Sequence, residues 1–424
     1  MKKKTKVLVF TDCYIYGGSE RLMSFLMRND ILNANFNLLL CYRNHLLYKK
    51  GMQNDYLSVD QNKLIPLYLL SNETLFYKIN CRKIPSFLKK IIKIPFYLIE
   101  KFNFYTIWNL VIFSRLLRKV KPELLHINNG GYPAAKSCNT LVWANQLFWR
   151  AKVIYQVNNQ AADVRGWDTF FDKKIEKFIN TFLTASFLAK DRLVSARKFD
   201  KNKIEVINNC IIPETIRMDR NQICTELSFP KETFIITQVG FLTERKGQAY
   251  LINALFLLFE RRKELKRRIK LLLIGDGEDK NRLMELVKEK DLQENIHFLG
   301  YKRNSEDYIA ASDVFVLPSV SNEDMPLVIL TALELGKAII ASGFAGIAQV
   351  IESGINGLLV DYDVKNLSGN LSAKIELLFS DDILRKKLSI AAQQTFLEYT
   401  PQKYGEKLSS LYSRILNNNH NDQR

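Results

Sequence analysis

The chain has 424 residues, of which 47% are hydrophobic and 25% charged, the balance of a globular protein of two to three domains at roughly 150 residues each. That composition excludes an intrinsically disordered chain and a small disulfide-stapled scaffold. The formal charge of +18 is lopsided: residues 1–215 carry 34 Lys and Arg against 16 Asp and Glu, while residues 216–424 carry 28 of each.

The longest stretch without a charged residue is Ala338–Ile351, 14 residues, against the about 20 apolar residues that a spanning helix needs. The lysine-rich start is followed only by the apolar run Val7–Phe10, too short for a signal peptide. Six cysteines are scattered at 13, 41, 81, 138, 210 and 224 with no C-x-x-C. They suit reduced thiols of a cytoplasmic protein rather than zinc ligands or disulfides.

Lys6–Phe10 reads as a buried strand. A loop over Thr11–Tyr16 leads into Gly17-Gly18-Ser19-Glu20-Arg21 and a helical pattern through Leu22, Phe25 and Leu26. Ser19 is the predicted N-cap, and Gly17 and Gly18 leave room for a phosphate or sugar at the helix start. Apolar runs at Phe36–Cys41, Leu124–Ile127, Val153–Val157, Thr181–Ala185 and Ile204–Ile207 alternate with helical stretches.

Within this half, residues 78–121 combine Lys78, Arg82, Lys83, Lys89, Lys90, Lys93, Lys101, Arg115, Arg118, Lys119 and Lys121 with Glu100 alone. The uncharged positions are bulky, Phe87, Ile91, Phe96, Phe102 and Trp108 among them. At helical spacing Leu88, Ile91 and Ile92 fall opposite Lys89, Lys90 and Lys93. Pro85 starts that helix, and Pro95 is expected to kink or end it. The pattern fits a helix lying in an anionic membrane surface; it equally fits an ordinary helix packed on its own domain.

The second half repeats the alternation. Strands are predicted at Phe234–Val239, Lys270–Ile274, Ile296–Leu299, Val314–Leu317 and Ala338–Ala341. Helices are predicted at Gly247–Glu260, Asp279–Lys290, Pro326–Leu335, Asn366–Leu378 and Asp381–Leu397. Asn208, Asn209 and Pro213 mark the break between the halves. The expected fold class is therefore α/β, with two doubly wound Rossmann-like domains facing a cleft where strand C-terminal ends bind ligands. The tail from Asn417 is polar and expected to fray.

Chemistry concentrates in Val316–Lys337. A strand ends, a loop carries Ser319 and Glu323, and Pro326 opens a helix whose free amides attract phosphate. A carboxylate there suits the hydroxyls of a sugar, so Glu323 followed by the helix start at Met325, Pro326 and Leu327 suits a nucleotide sugar. Taken alone, Glu323 or Asp324 suits a simple helix cap better. Gly240-Phe-Leu-Thr-Glu-Arg-Lys-Gly247 places Arg245 and Lys246 after another strand, where they can neutralise a diphosphate. Gly275 and Gly277 follow a third and would let backbone approach a ligand.

Together these residues resemble the retaining GT-B glycosyltransferases of family 4, the "glycosyl transferases group 1". The matching pieces are Gly17-Gly-Ser-Glu-Arg21, Lys246–Gly247, Leu273-Ile-Gly-Asp-Gly277, Phe298-Leu-Gly300, Ala311–Ser319, Glu323, Gly336–Lys337 and Gly354–Val360. The resemblance implies an acceptor-binding N-terminal domain (1–212), a nucleotide-sugar-binding C-terminal domain (213–400) and a helix crossing back over 401–424. It implies Lys246 and Arg245 on the diphosphate, Glu323 on the donor sugar, and Gly17 and Gly18 approaching phosphate or sugar. His126, Asn158, Gly240, Gly275, Gly277, Tyr301, Met325, Pro326, Leu327 and Thr331 line the expected substrate site. It implies no cofactor and no required metal, with a UDP-sugar favoured over a GDP-sugar as co-substrate.

The sequence departs from the family pattern at three places. Thr331 stands where a second Glu, eight residues after the first, holds the ribose. Phe241 stands where Arg usually follows the glycine, and Asn158 where His is frequent. The resulting expectation is an enzyme that moves a hexose or N-acetylhexosamine to a lipid-linked or surface-polysaccharide acceptor with retention, at the inner face of the cell membrane. The other open reading is a weak or inactive GT-B subunit that binds a partner or a glycan. Nucleic acid is not an expected partner, since no binding motif accompanies the charge.

Overall fold

A computed structural model describes residues 4–164, 166, 168–321 and 323–417. The polar tail beyond Asn417 lies outside the described residues. The chain forms two compact units: one runs to Asn208 and resumes at Pro401, the other is Asn209–Thr400. The break falls at 208/209 rather than at 212/213. Asn209 belongs to the second unit because its side-chain amide donates to the Met325 carbonyl, 2.8 Å away.

The first unit is built on seven parallel strands: β1 (Thr5–Thr11), β2 (Phe36–Arg43), β3 (Leu64–Leu67), β4 (Leu124–Asn129), β5 (Lys152–Val157), β6 (Thr181–Thr184) and β7 (Ile204–Val206), in the order 3-2-1-4-5-6-7. The second has six: β8 (Phe234–Val239), β9 (Ile269–Ile274), β10 (Ile296–Gly300), β11 (Val314–Leu317), β12 (Ala338–Ser342) and β13 (Leu358–Val360), in the order 10-9-8-11-12-13. Both are α/β sheets of Rossmann type. Their strands read as unbroken apolar runs because helices cover both faces: Val7–Phe10 and Leu271–Leu273 are fully buried. Strand order reverses between β1 and β4 and between β8 and β11. Loops leaving those strand ends diverge to opposite faces and open a crevice.

Helix Pro401–Asn417 packs in the first unit against helix Asp30–Asn35. Tyr404, Leu408, Leu411, Tyr412 and Ile415 recur at helical spacing and are buried. At the contact, Asn29 donates to the Pro401 carbonyl at 2.8 Å and caps the neighbouring helix by accepting from the Leu32 amide at 3.1 Å. A Cβ on Gly405 would stand 2.3 Å from Asn29 Oδ1.

Between β3 and β4 lie helices Asn72–Asn80, Ser86–Lys101 and Phe104–Val120. The second runs through Pro95 instead of ending there. Pro95 is exposed, so the carbonyl that loses its intrahelical donor is open to solvent. Among the described residues no helix is long and apolar enough to cross a membrane.

The Asn29 contact yields a paired prediction. Gly405→Ala is expected to destabilise the protein by about 1–3 kcal/mol in urea unfolding, because Asn29 must give up a cap and a bond. Gly369→Ala, a helical glycine with open space around it, is expected to be neutral or stabilising by up to about 1 kcal/mol. Equal effects at the two sites would refute the packing role of Gly405.

Candidate active site

The second unit's reversal point is built from two loops. After β8, Gly240 (φ +155) turns the chain into a single 3₁₀ turn, Glu244–Lys246, which Gly247 ends at φ +72. Two bonds fix that turn: Gln238 Nε2 donates to the Lys246 carbonyl (2.9 Å), and the Val320 amide donates to the Arg245 carbonyl (2.9 Å). Gly247 is required twice over. Its backbone is left-handed, and a Cβ there would lie 1.9 Å from the Pro318 carbonyl oxygen. The turn is thereby pressed against the end of β11.

After β11 the chain passes Ser319 and Glu323 to Pro326, the N-cap of helix Leu327–Glu334. The helix begins at Leu327 rather than Pro326. Pro326 itself makes no side-chain cap bond, and the leading amides of the helix carry the positive end of its dipole. Met325 is buried and its carbonyl is held by Asn209; the Ser319 carbonyl is held by the Ser342 hydroxyl. The loop is therefore fastened from below before it presents a side chain.

That side chain is Glu323, 4% exposed. Lys246 Nζ approaches its Oε1 at 2.6 Å, and Arg245 Nη1 binds the same oxygen. Lys246 is buried and Arg245 partly so. Two cations and one carboxylate are thus brought together, largely withdrawn from water, beside a helix start. Such a constellation suits a ligand with concentrated negative charge and hydroxyl groups.

Other expected site residues are placed differently. Gly275 (φ +139) and Gly277 are required by packing. A Cβ on them would strike the carbonyl oxygens of Gly240 (1.9 Å) and Leu242 (2.2 Å), so they let the loops after β8 and β9 nest against one another. Thr331 is buried and its hydroxyl donates to the Leu327 carbonyl at 3.2 Å, within its own helix. Tyr301 stands just past β10 and is 74% exposed.

At the first unit's reversal point, Gly17 is the N-cap of helix Gly18–Arg28, and Ser19 lies inside the helix instead of capping it. The cap is supplied in reverse: the Gly17 amide donates to Glu20 Oε2 (3.0 Å), and Ser19 Oγ donates to Glu20 Oε1 (2.7 Å). Space beside Gly18 is open. The preceding loop is anchored by Asp12, which pairs in bidentate fashion with the buried Arg43 and accepts from Ser137.

His126 is a core residue and not a substrate contact. It is fully buried on β4, with Nε2 donating to Gln156 Oε1 (2.7 Å) and Nδ1 facing the Tyr412 hydroxyl (2.5 Å). Burial pushes its pKa down to about 4, so the ring is neutral. Asn158 continues the same chain. Its Oδ1 accepts from Gln156 (2.9 Å), and its amide donates to Asn128 Oδ1 (2.7 Å) and the Asn129 carbonyl (2.9 Å). Its polar atoms are occupied inside the unit.

Residues 219–395 match the family model described as "Glycosyl transferases group 1". This region is similar to the group 1 glycosyl transferases. The match contains Lys246, Arg245 and Glu323. The lipopolysaccharide core biosynthesis glycosyltransferase LpsD of Rhizobium meliloti is 32% identical over 201 residues, 46% of this chain and 52% of LpsD. The N-acetylgalactosamine-N,N'-diacetylbacillosaminyl-diphospho-undecaprenol 4-alpha-N-acetylgalactosaminyltransferase of Campylobacter jejuni is 30% identical over 195 residues, 46% of this chain and 49% of that protein. The chain spans about half the length of the curated relatives it matches. The crystal structure of Anabaena Alr3699/HepE in complex with UDP superposes with a TM-score of 0.70 at 15% identity, covering 97% of this chain and 100% of that one. The likeness shows a shared GT-B fold.

Gln238, which holds the cationic turn, and Asn209, which holds the acidic loop, were not read as supports of the site from the sequence. Gln238 had left a signal: it is the lone amide in the apolar strand Phe234–Val239.

His126 gives a pH prediction. Its native pKa lies below the unfolded value of about 6.5, so the unfolded chain binds the proton that the native one refuses. Its contribution is present above about pH 6.5 and is lost as pH falls toward 4, by up to about 3 kcal/mol. His126→Gln is expected to flatten that part of the stability-against-pH curve, measured by urea unfolding between pH 4 and 7.

Proposed function

We propose that the chain is a retaining glycosyltransferase of family 4. It transfers a hexose or N-acetylhexosamine from a nucleoside-diphosphate sugar, UDP-linked in preference to GDP-linked, to a lipid-linked or surface-polysaccharide acceptor. One observation carries the reading: Arg245, Lys246 and Glu323 meet near the start of helix Leu327–Glu334, inside the region that matches the family.

The mechanism follows from these charges. Lys246 and Arg245 take the diphosphate, with the amides at Leu327 and beyond as further donors. Negative charge grows on the leaving diphosphate as the sugar–oxygen bond breaks, and fixed cations stabilise it without a metal requirement. Glu323, displaced from the cations by the phosphates, turns to the sugar hydroxyls. Front-face attack by the acceptor retains configuration and needs no protein nucleophile. The names of the two relatives, one acting in lipopolysaccharide core synthesis and one on a diphospho-undecaprenol-linked sugar, support the acceptor class.

The inactive-subunit reading draws on Thr331, whose hydroxyl is turned into its own helix where the family pattern has a carboxylate. Transfer or hydrolysis of a bound nucleotide sugar separates the two.

Lys246→Ala is expected to weaken nucleotide-diphosphate binding roughly ten- to hundredfold, the loss of a charge-assisted bond of about 1.5–3 kcal/mol. Calorimetry with UDP and GDP checks this, and unchanged affinity would remove the diphosphate from this loop. Glu323→Gln removes the anion that competes for Lys246. UDP affinity should therefore hold or rise while turnover of the nucleotide sugar falls by at least about tenfold.

A further inference from the structure

Helix Ser86–Lys101 contributes no buried residue to the first unit. It joins helix Phe104–Val120 through Phe102 and Asn103, and the second helix is two-faced. Tyr105, Asn109, Phe113, Leu116, Leu117 and Val120 point into the unit. On the outside, Ile94, Tyr97, Leu98, Phe102, Phe104 and Trp108 are each about half exposed or more. These bulky side chains gather around the turn between the helices. Most of the basic residues sit toward the far ends, Lys89, Lys90 and Lys93 among the exposed Phe87, Ile91 and Ile92 of the first helix and Arg115, Arg118 and Lys119 late in the second, with Lys101 at the turn itself.

Charge on this face is all of one sign. Glu100, the single acid between Lys78 and Pro122, is turned away from it. Its oxygens accept from Asn72 on the preceding helix and from Lys136 (3.2 Å). Lys89 donates to the Asn80 carbonyl and Lys93 lies over the Phe76 ring; neither contact cancels a charge. An apolar tip with a cationic collar matches the layered chemistry of an anionic bilayer surface, where ring and branched side chains enter beneath the headgroups and lysines meet phosphates.

We infer that the paired helices Ser86–Lys101 and Phe104–Val120 are a docking surface for anionic phospholipid. The turn at Phe102–Phe104 enters the headgroup layer, and the lysines and arginines bind lipid phosphates. This inference does not depend on the transfer reaction.

Flotation of the full chain tests it. One set of vesicles mixes phosphatidylglycerol with phosphatidylcholine and the other is phosphatidylcholine alone. Binding is expected to the mixed vesicles only and to weaken as salt is raised. Replacing Lys89, Lys90 and Lys93 by Gln should lower the partition constant roughly hundredfold, at about 1 kcal/mol per lysine. Phe102→Ser with Trp108→Ser should lower it further while leaving the circular dichroism spectrum unchanged. Failure of the parent chain to float, or undiminished flotation of the lysine variant, overturns the inference. So does a concentration-dependent dimer, without lipid, that Phe102→Ser with Trp108→Ser disperses; the face would then be covered by a second copy of the chain.

Discussion

The second unit's chemistry depends on one carboxylate held by two cations. Glu323 lies almost out of solvent, where an unpaired charge would be costly, and Lys246 and Arg245 supply the compensation. A carboxylate on a loop stays close to a turn from another strand only if both are rigid. The structure meets that need with backbone: Gln238 and Val320 hold the cationic turn, Asn209 and Ser342 hold the acidic loop, and Gly247 lets the two touch. In the proposed reaction the ion pair is a placeholder: a diphosphate would offer the cations more negative charge than a single carboxylate does, and its arrival would free Glu323 for hydroxyl groups.

The same logic explains where the site lies. At a reversal of strand order, the loops after adjacent strands turn to opposite sides of the sheet, and the gap between them cannot close. β8 and β11 form such a pair and carry Lys246 and Glu323. β1 and β4 form the other, where Gly17 and Gly18 open a helix and the Asp12–Arg43 pair steadies the approach.

Much of this was legible in the sequence, for identifiable reasons. Parallel strands show as apolar runs whatever their neighbours, so nearly every strand was readable. Arg245, Lys246 and Glu323 lie on the loops that leave Val239 and Leu317, so the sequence could set them at the same edge of the sheet, where the structure brings them together. What sequence could not reveal was direction. Gly275 and Gly277 look alike whether they face a ligand or a carbonyl, and they face Gly240 and Leu242. His126 and Asn158 were polar residues at promising strand positions, yet partners remote in sequence, Tyr412 foremost, absorb them into the interior. Pro95 was expected to kink or end its helix, which does not end there; Pro95 and Ile91, the residue four before it, are both exposed.

The position of helix Pro401–Asn417 has a consequence for synthesis. The first unit is discontinuous: its sheet is translated before the second unit, but Tyr412 and the residues around it emerge after Thr400. During translation the inserted lobe can reach its final form first. Its host meanwhile waits with the imidazole of His126 lacking one partner and the groove along Asp30–Asn35 unfilled. Completion of the earlier lobe therefore follows synthesis of the inserted one and waits on helix Pro401–Asn417.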